Sequence, residues 1–450
     1  MIPLPVILNG TKCSEESRSG KNMEMTKCKL GDLCRDVVDC PHSTPEWKSE
    51  GVHVIRNFNI KKGTLDFTDG FYVDEETYQK RTQRAVPEES DLVISREAPM
   101  GAACIIPKLL KCCLGQRLVL LKINRNMAEP KYVLYAIQSD FVQQQIRRID
   151  QTGSIVSNLN IPDLKSLLVP VPSLSEQKKI AAVLSALDNK IALNKKMNQK
   201  LEAMAKRLYD YWFVQFDFPD ENGRPYKTSG GPMTHNPTLN REIPEGWDVV
   251  RLGDLFKTNR GISYSTPTLG EDGDGTAMIN LASFSPNESY NEKGIKYYKG
   301  DYASEKILKP YDLVMCNTQQ TAIDPQKDII GRSMLVPDIF EGDIVSSHHV
   351  NTIKLAKDNL KFYLNRLFNT TFYHSYISKF ANGTNILGLI FSGVENYMCE
   401  IPPENLLDEF ARFSLNIEKK KSKIILENKK LTALRDKLLP LLMNGQVEVK

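Results

Sequence analysis

Two short polar stretches built around a glycine stand out as contact chemistry. One is Gln151-Thr152-Gly153-Ser154, preceded by Arg147 and Arg148; the other is Ala381-Asn382-Gly383-Thr384-Asn385, preceded by Lys379. Cations, hydroxyls, amides and a residue that admits close backbone approach suit phosphate and base-edge contacts. A second pair, Ser95-Arg96-Glu97 and Asn317-Thr318-Gln319-Gln320, follows two strand-like runs. Arginine can hydrogen-bond guanine in bidentate fashion, and Asn or Gln can do so with adenine. Singly, each of these residues also fits an ordinary hydrophilic turn. As a set they point to recognition, because the two stretches of each pair diverge in sequence while the flanking elements keep register.

Signatures of bond-making chemistry are missing from the sequence. It holds no Gly-x-Gly-x-x-Gly, no Walker loop, no Gly-x-Ser-x-Gly and no His-Glu-x-x-His. Asn160-Ile161-Pro162-Asp163 lacks the aromatic with which a methyltransferase tetrapeptide stacks a flipped base. Asp74-Glu75-Glu76 with Lys80 reads as a solvated acidic turn. His348-His349 reads as a polar strand edge, since strand neighbours point to opposite faces. Nine cysteines without a Cys-x-x-Cys pair read as free thiols. The expectation is therefore no catalytic residue, no metal site and no cofactor bound by this chain.

The elements that must position the loops are two long helices and the strand-rich domains before them. After Pro170-Val171-Pro172, apolar residues recur every seventh place at Ile180, Leu187, Leu201 and Leu208, with Asn194 interrupting and Asn198 in a parallel row. A shift of 230 residues carries this pattern onto Phe410, Ile417, Ile424, Leu431 and Leu438, and carries Asn198 onto Asn428. Each helix would be roughly 55 Å long, longer than one small domain needs. The repeat extends upstream: Leu30-Gly31-Asp32-Leu33 matches Leu252-Gly253-Asp254-Leu255, and Asp91-Leu92-Val93 matches Asp312-Leu313-Val314. Each domain closes with a helix, over 131–148 and over 360–380. The fold class is mixed α+β, internally duplicated: two globular domains separated by two long antiparallel coiled-coil helices.

The boundaries follow. A first domain covers 1–172, with an irregular lead-in over 1–27. A helix over 173–215 comes next, then a Gly/Pro/Asn-rich linker over 216–247. The second domain covers 248–403 and the last helix 404–443. With 450 residues, 41% hydrophobic content and a net charge of +4, the composition is that of an ordinary globular chain, and its mild basicity permits a nucleic-acid partner. No apolar run approaches the ~18 residues of a membrane span, and the N-terminal MIPLPVILNG reads as no signal peptide.

The segment Val169-Pro170-Val171-Pro172-Ser173-Leu174-Ser175-Glu176-Gln177-Lys178-Lys179-Ile180, with Leu187-Asp188 and Ile191 after it, resembles the specificity subunit of type I restriction–modification systems. So does Glu242-Ile243-Pro244-Glu245-Gly246-Trp247 with Leu252-Gly253-Asp254-Leu255. The resemblance spans nearly the whole chain, except that the first domain lacks an Ile-Pro-x-Gly-Trp opening. It implies two target-recognition domains, each reading half of a split duplex target, and a helical rod that fixes their spacing. It also implies modification subunits that methylate adenine with S-adenosylmethionine, and restriction subunits that use ATP and Mg; those cofactors would sit on the partners, in the cytoplasm. Three alternatives remain open: a self-sufficient methyltransferase or nuclease, a specificity-like subunit of another phage-defence assembly, and a scaffold that does not bind DNA.

Overall fold

The strand Leu168–Val171 ends at Pro172, and the Ser173 hydroxyl then accepts the Glu176 backbone N–H at 3.3 Å. That cap starts the first long helix, which runs 36 residues over Leu174–Tyr209 and closes in one π-helical turn, Asp210–Val214. The second long helix spans 40 residues, Glu404–Met443. The computed structural model describes residues 25–152, 158–285, 290–320 and 328–449. By internal contacts the chain divides into two units, Met1–Lys190 with Leu431–Lys450, and Ile191–Lys430. The sequence boundaries fall at helix ends, whereas these fall inside both helices. The reason is that each helix half lends its apolar face to one unit's core.

In the first unit a four-stranded antiparallel sheet has the order Cys34–Asp39, Leu118–Ile123, Leu92–Ser95, Ala103–Ile105. Its strand Leu118–Ile123 is buried at all six positions, Lys122 among them because Glu88 and Asp91 pair with its ammonium. Beside it Val52–Ile55 runs parallel to Cys112–Leu114, and Thr26–Lys29 pairs with Leu168–Val171. The second unit repeats this plan. Its sheet order is Phe256–Arg260, Val350–Leu355, Leu313–Cys316, Ser333–Leu335. The parallel pair is Thr276–Ile279 with Ile344–Ser346, and Asp248–Arg251 pairs with Met398–Ile401.

Single hydrogen bonds repeat too. Leu30 N–H donates to Leu167 O at 2.7 Å, and Leu252 N–H to Tyr397 O at 2.9 Å. The Tyr132 hydroxyl donates to Pro170 O at 2.7 Å, and that of Tyr363 to Glu400 O at 2.9 Å. The shared glycine of the Leu-Gly-Asp-Leu motif marks a close approach. A β-carbon at Gly31 would lie 2.9 Å from Lys165 Cβ, and one at Gly253 would lie 3.0 Å from Glu395 Cβ.

Two sequence expectations change. The closing helix is broken in both units: Pro130–Gln138 ends at Ser139 and Asp140–Thr152 follows, while Leu360–Phe368 is followed by Thr371–Ile377. Extended backbone at Ser139 and Thr370, held by their hydroxyls on Ala136 O and Leu367 O, makes the break. The segment 216–247 is not a loose linker. It forms the hairpin Met233–Asn236/Arg241–Pro244, and Phe218 stacks between Tyr226 and Trp247 at centroid distances of 4.5 and 5.4 Å.

The long helices run antiparallel within each unit. In the first unit Lys179 reaches Val449 O and Asp188 pairs with Arg435. In the second, Asn194 meets Asn428, Glu202 meets Lys421, and Phe213 packs on Phe410. Of the seam residues, Ile180, Phe410, Ile417 and Ile424 are buried, while Leu187, Leu201, Leu208, Leu431 and Leu438 are half-buried. Asn194 is 1% exposed, and its amide donates to Asn428 Oδ1 at 2.9 Å and Glu427 Oε2 at 2.7 Å. Asn198 is half-buried, and its Oδ1 has no hydrogen-bond partner. Lys419 and Lys420 are exposed, but Lys421 leaves the basic run for an ion cluster with Glu202, Glu418 and Arg366.

Burial alone would raise the Glu202 carboxyl, but the Arg366 guanidinium and the Lys421 ammonium hold it well below the ordinary carboxylate range. A depressed acid contributes stability that is present above its unfolded pKa, about 4.3, and lost as pH falls through its folded value. Glu202→Gln should lower the stability of the second unit by about 3 kcal/mol at pH 7, because it leaves two cations facing one carboxylate. Thermal unfolding of wild type and variant from pH 7 to pH 3 checks this: the gap between the two curves should narrow below about pH 4.3, where the unfolded chain takes up the proton on Glu202.

Candidate nucleic-acid interface

In the second unit four segments meet at one end of the sheet: the end of Phe256–Arg260, the turn Ser347-His348-His349, Asn317, and the hairpin Ala381–Asn382/Ile386–Leu389. Asn317 ties them together. Its backbone N–H donates to His349 O at 3.0 Å, and its carbonyl accepts the Leu389 N–H at 2.8 Å. Its side-chain amide donates to Asn351 Oδ1 at 2.7 Å and to His348 O at 3.2 Å, while its Oδ1 accepts the Thr318 hydroxyl at 2.7 Å. Gln319 Oε1 accepts the backbone N–H groups of Ile329 and Ile330. Gln320 contributes backbone pairing with Ile386.

The sequence presents Asn317, Thr318 and Gln319 as base readers. The structure buries all three at 5–9% exposure and uses their polar atoms inside the protein. They are framework for the hairpin they hold. The hairpin tip is what faces outward: Gly383, Thr384 and Asn385 are exposed, as is Lys379 just before it. Gly383 has φ +138°, and a β-carbon there would lie 2.0 Å from Ile386 O, so the tight turn requires glycine.

The first unit builds the same node with other side chains. Arg96 N–H donates to Arg117 O and Arg96 O accepts the Leu159 N–H, both at 2.8 Å, as Asn317 does with His349 and Leu389. The Arg96 guanidinium bonds both Asp39 oxygens, at 2.9 and 3.0 Å, and also Leu159 O. Ser95 is fully buried and donates to Glu97 O. Arg96 and Ser95 are thus held as scaffold, contrary to their sequence reading as exposed contacts, because an ion pair and a strand end claim their polar atoms. Arg147 and Arg148 are exposed on the helix that ends at Thr152. Gly153 and Ser154 lie outside the described residues.

Strand register makes Arg260 the counterpart of Asp39: Asp39 pairs with Val119, two residues past Arg117, and Arg260 pairs with Asn351, two residues past His349. The node therefore carries an acid in one unit and a cation in the other. His348 and His349 are not the alternating strand edge that the sequence implies. They occupy a turn, and their rings lie together with centroids 3.8 Å apart. Sequence reading passed over Arg260 altogether, because its role shows only through cross-strand pairing.

The eight described cysteines are free; burial pushes the thiols of Cys34, Cys112 and Cys316 up to about 12, so they are unreactive at neutral pH. Among the described residues, no group of three or more His, Cys, Asp or Glu is placed to hold a metal, and no helix is long and apolar enough to cross a membrane.

A duplicated α+β domain with exposed cations and amides beside a node of buried polar groups, joined to halves of two long helices, presents groups suited to nucleic-acid contact. The chain is similar to specificity subunits of type I restriction–modification systems. Residues 22–203 match the type I restriction modification DNA specificity domain. The chain is 27% identical over 384 residues to the type I restriction enzyme MjaIX specificity subunit of Methanocaldococcus jannaschii, covering 84% of this chain and 82% of that protein. It is 23% identical over 376 residues to the HindI specificity subunit of Haemophilus influenzae, covering 74% and 80%. The crystal structure of the S subunit from M. genitalium shares the fold, with a TM-score of 0.57 and 15% identity over 95% of this chain and 98% of that one.

Gly383→Val should open the hairpin without unfolding the unit, since the strain is confined to the tip. Hydrogen exchange checks this: the Leu389 amide, bonded to Asn317 O, should lose protection, while amides of Val350–Leu355 keep theirs.

Proposed function

We propose that this chain is the sequence-reading subunit of a type I restriction–modification complex, in which each unit reads one half of a split duplex target. The observation that carries this reading is the duplication itself: one strand order and one set of backbone hydrogen bonds are kept in both units, while the outward-facing residues differ. Two copies of a single fold that present different cations and amides suit two different short sequences. Contacts from Arg147, Arg148, Lys379, Thr384 and Asn385 position or read the DNA, and the buried polar residues hold those loops in place.

The helix pair serves as the spacer, its 36 and 40 residues giving roughly 55–60 Å of rod. That length corresponds to about 16 base pairs. Modification subunits bound to this chain supply S-adenosylmethionine and methylate adenine; restriction subunits add ATP, Mg and cleavage. The complex works in the cytoplasm, where its DNA is.

Mapping adenine methylation across the genome of a host that expresses this chain with its modification subunit tests the assignment. A split motif with a fixed gap, lost on deletion of this chain, is the expected result; an active methyltransferase without such a motif would favour a scaffold role. A seven-residue insertion in each long helix keeps the heptad phase and adds about 10 Å. The same half-sites should then be methylated across a gap about three base pairs wider.

A further inference from the structure

The turn at His348-His349 in the second unit is left over by this reading, and its surroundings are lopsided in charge. Arg260 donates its Nε–H to His348 O at 2.8 Å, so the guanidinium is pinned beside the histidine pair. Lys296 lies 5.0 Å from the Tyr264 ring centroid and donates to the Tyr264 hydroxyl at 3.1 Å, and Tyr264 in turn lies 5.8 Å from the His348 ring. Lys306 bonds Arg260 O and the Asn259 side chain. Among the described residues, the neighbours tied to the histidine pair or to Arg260 are thus cations, a phenol and amides: Arg260, Tyr264, Lys296, Lys306 and Asn317. The Nδ1 atoms of both histidines are buried without a hydrogen-bond partner.

The first unit offers an internal control. At the equivalent node Arg117 pairs with Glu97 at 2.9 Å and Arg96 with Asp39. There the cations are neutralised by the protein's own carboxylates. In the second unit the corresponding acid position holds Arg260, and among the described residues no carboxylate is ion-paired with it.

We infer that Arg260, Lys296 and the His348-His349 turn form a phosphate-contact site for the DNA backbone beside the second half-site, and that the histidine pair takes up a proton when DNA binds. The inference rests on the DNA-reading role proposed above and assigns its electrostatic anchor. In the free protein, burial first and then the Arg260 charge hold the His348 imidazole below its ordinary value of about 6.5. For His349 the causes are burial, then His348, Arg260 and Lys296. A phosphate placed among these groups reverses the balance, since an anion favours the charged imidazole. By linkage, DNA affinity must then rise as pH falls.

The test uses the complex of this chain with its modification subunits and a labelled duplex that carries the methylated split target. Wild-type affinity should rise roughly tenfold from pH 8 to pH 6, the limit for one proton being tenfold per pH unit. The double variant His348→Gln/His349→Gln should flatten that rise, and an unchanged circular dichroism spectrum and thermal unfolding midpoint at pH 8 show that it is folded. Arg260→Gln should weaken binding roughly tenfold, to matched and unmatched duplex alike, and lower the slope of log affinity against log salt by about one. Lys357→Gln, an exposed lysine past the opposite end of the strand Val350–Leu355, should leave the pH dependence intact. A pH dependence that survives the double histidine variant, or a salt slope unmoved by Arg260→Gln, overturns the inference and leaves the DNA-reading role standing. Failure of the wild-type complex to bind any duplex overturns both.

Discussion

Antiparallel packing of the two long helices is the constraint on which each unit depends. A helix of 36 residues with apolar positions every seventh place cannot bury that stripe alone. Here the stripe is covered jointly by the other helix and by a strand-rich domain. Ile180 and Leu184 enter the core of the first unit together with Leu442 and Met443, while Tyr209 and Phe213 enter that of the second with Phe410. The seam is therefore part of two hydrophobic cores. The aromatic end of the first helix is a plug in the second unit's core, and of its last aromatics only Tyr211 remains exposed.

Apolar packing alone would tolerate sliding, and polar groups in the seam remove that freedom. The buried Asn194 amide satisfies itself on Asn428 and Glu427. A slip by one heptad would take it from both acceptors and set it against Lys420 and Lys421 or Leu434 and Arg435, at a cost of about 1–3 kcal/mol for the unpaired amide. The cluster of Glu202, Arg366, Glu418 and Lys421 adds a second lock, and it also ties the helices to the helix Leu360–Phe368. In the first unit Asp188 does the equivalent work, accepting from the Tyr135 hydroxyl and pairing with Arg435. Positions for the locks are kept between the units while their chemistry differs.

The same separation of frame from content runs through the recognition nodes. Backbone hydrogen bonds at Arg96 and Asn317 are superposable in pattern, and both residues spend their side chains on internal partners. What such a node can present to DNA is then set by its neighbours, whose charge differs between the units while the backbone bonds stay the same. Replacing an acid by a cation at the end of one edge strand, Asp39 against Arg260, changes the local field without touching the sheet. A fold organised in this way can alter what it reads without relearning how to fold.

The sequence by itself determined the duplication, the α+β class, both long helices and the seam residues, because these follow from periodicity and from a 230-residue offset that local physics enforces. It also determined the need for glycine at 383, and the shared Leu-Gly-Asp-Leu turn. Only the tertiary structure decided which polar residues face outward. Ser95, Arg96, Asn317, Thr318 and Gln319 look like contacts in a linear reading, yet a partner far along the chain claims each polar group or a strand end buries it. Arg260 and the His348-His349 turn became a candidate site only when cross-strand pairing set them side by side, with no ion-paired carboxylate among the described residues. Helix breaks at Ser139 and Thr370, and the ordering of 216–247 by stacked aromatics, were likewise decided by hydrogen bonds and packing that periodicity does not encode. Burial and charge pairing depend on neighbours in space, and those neighbours are fixed only when the chain has folded.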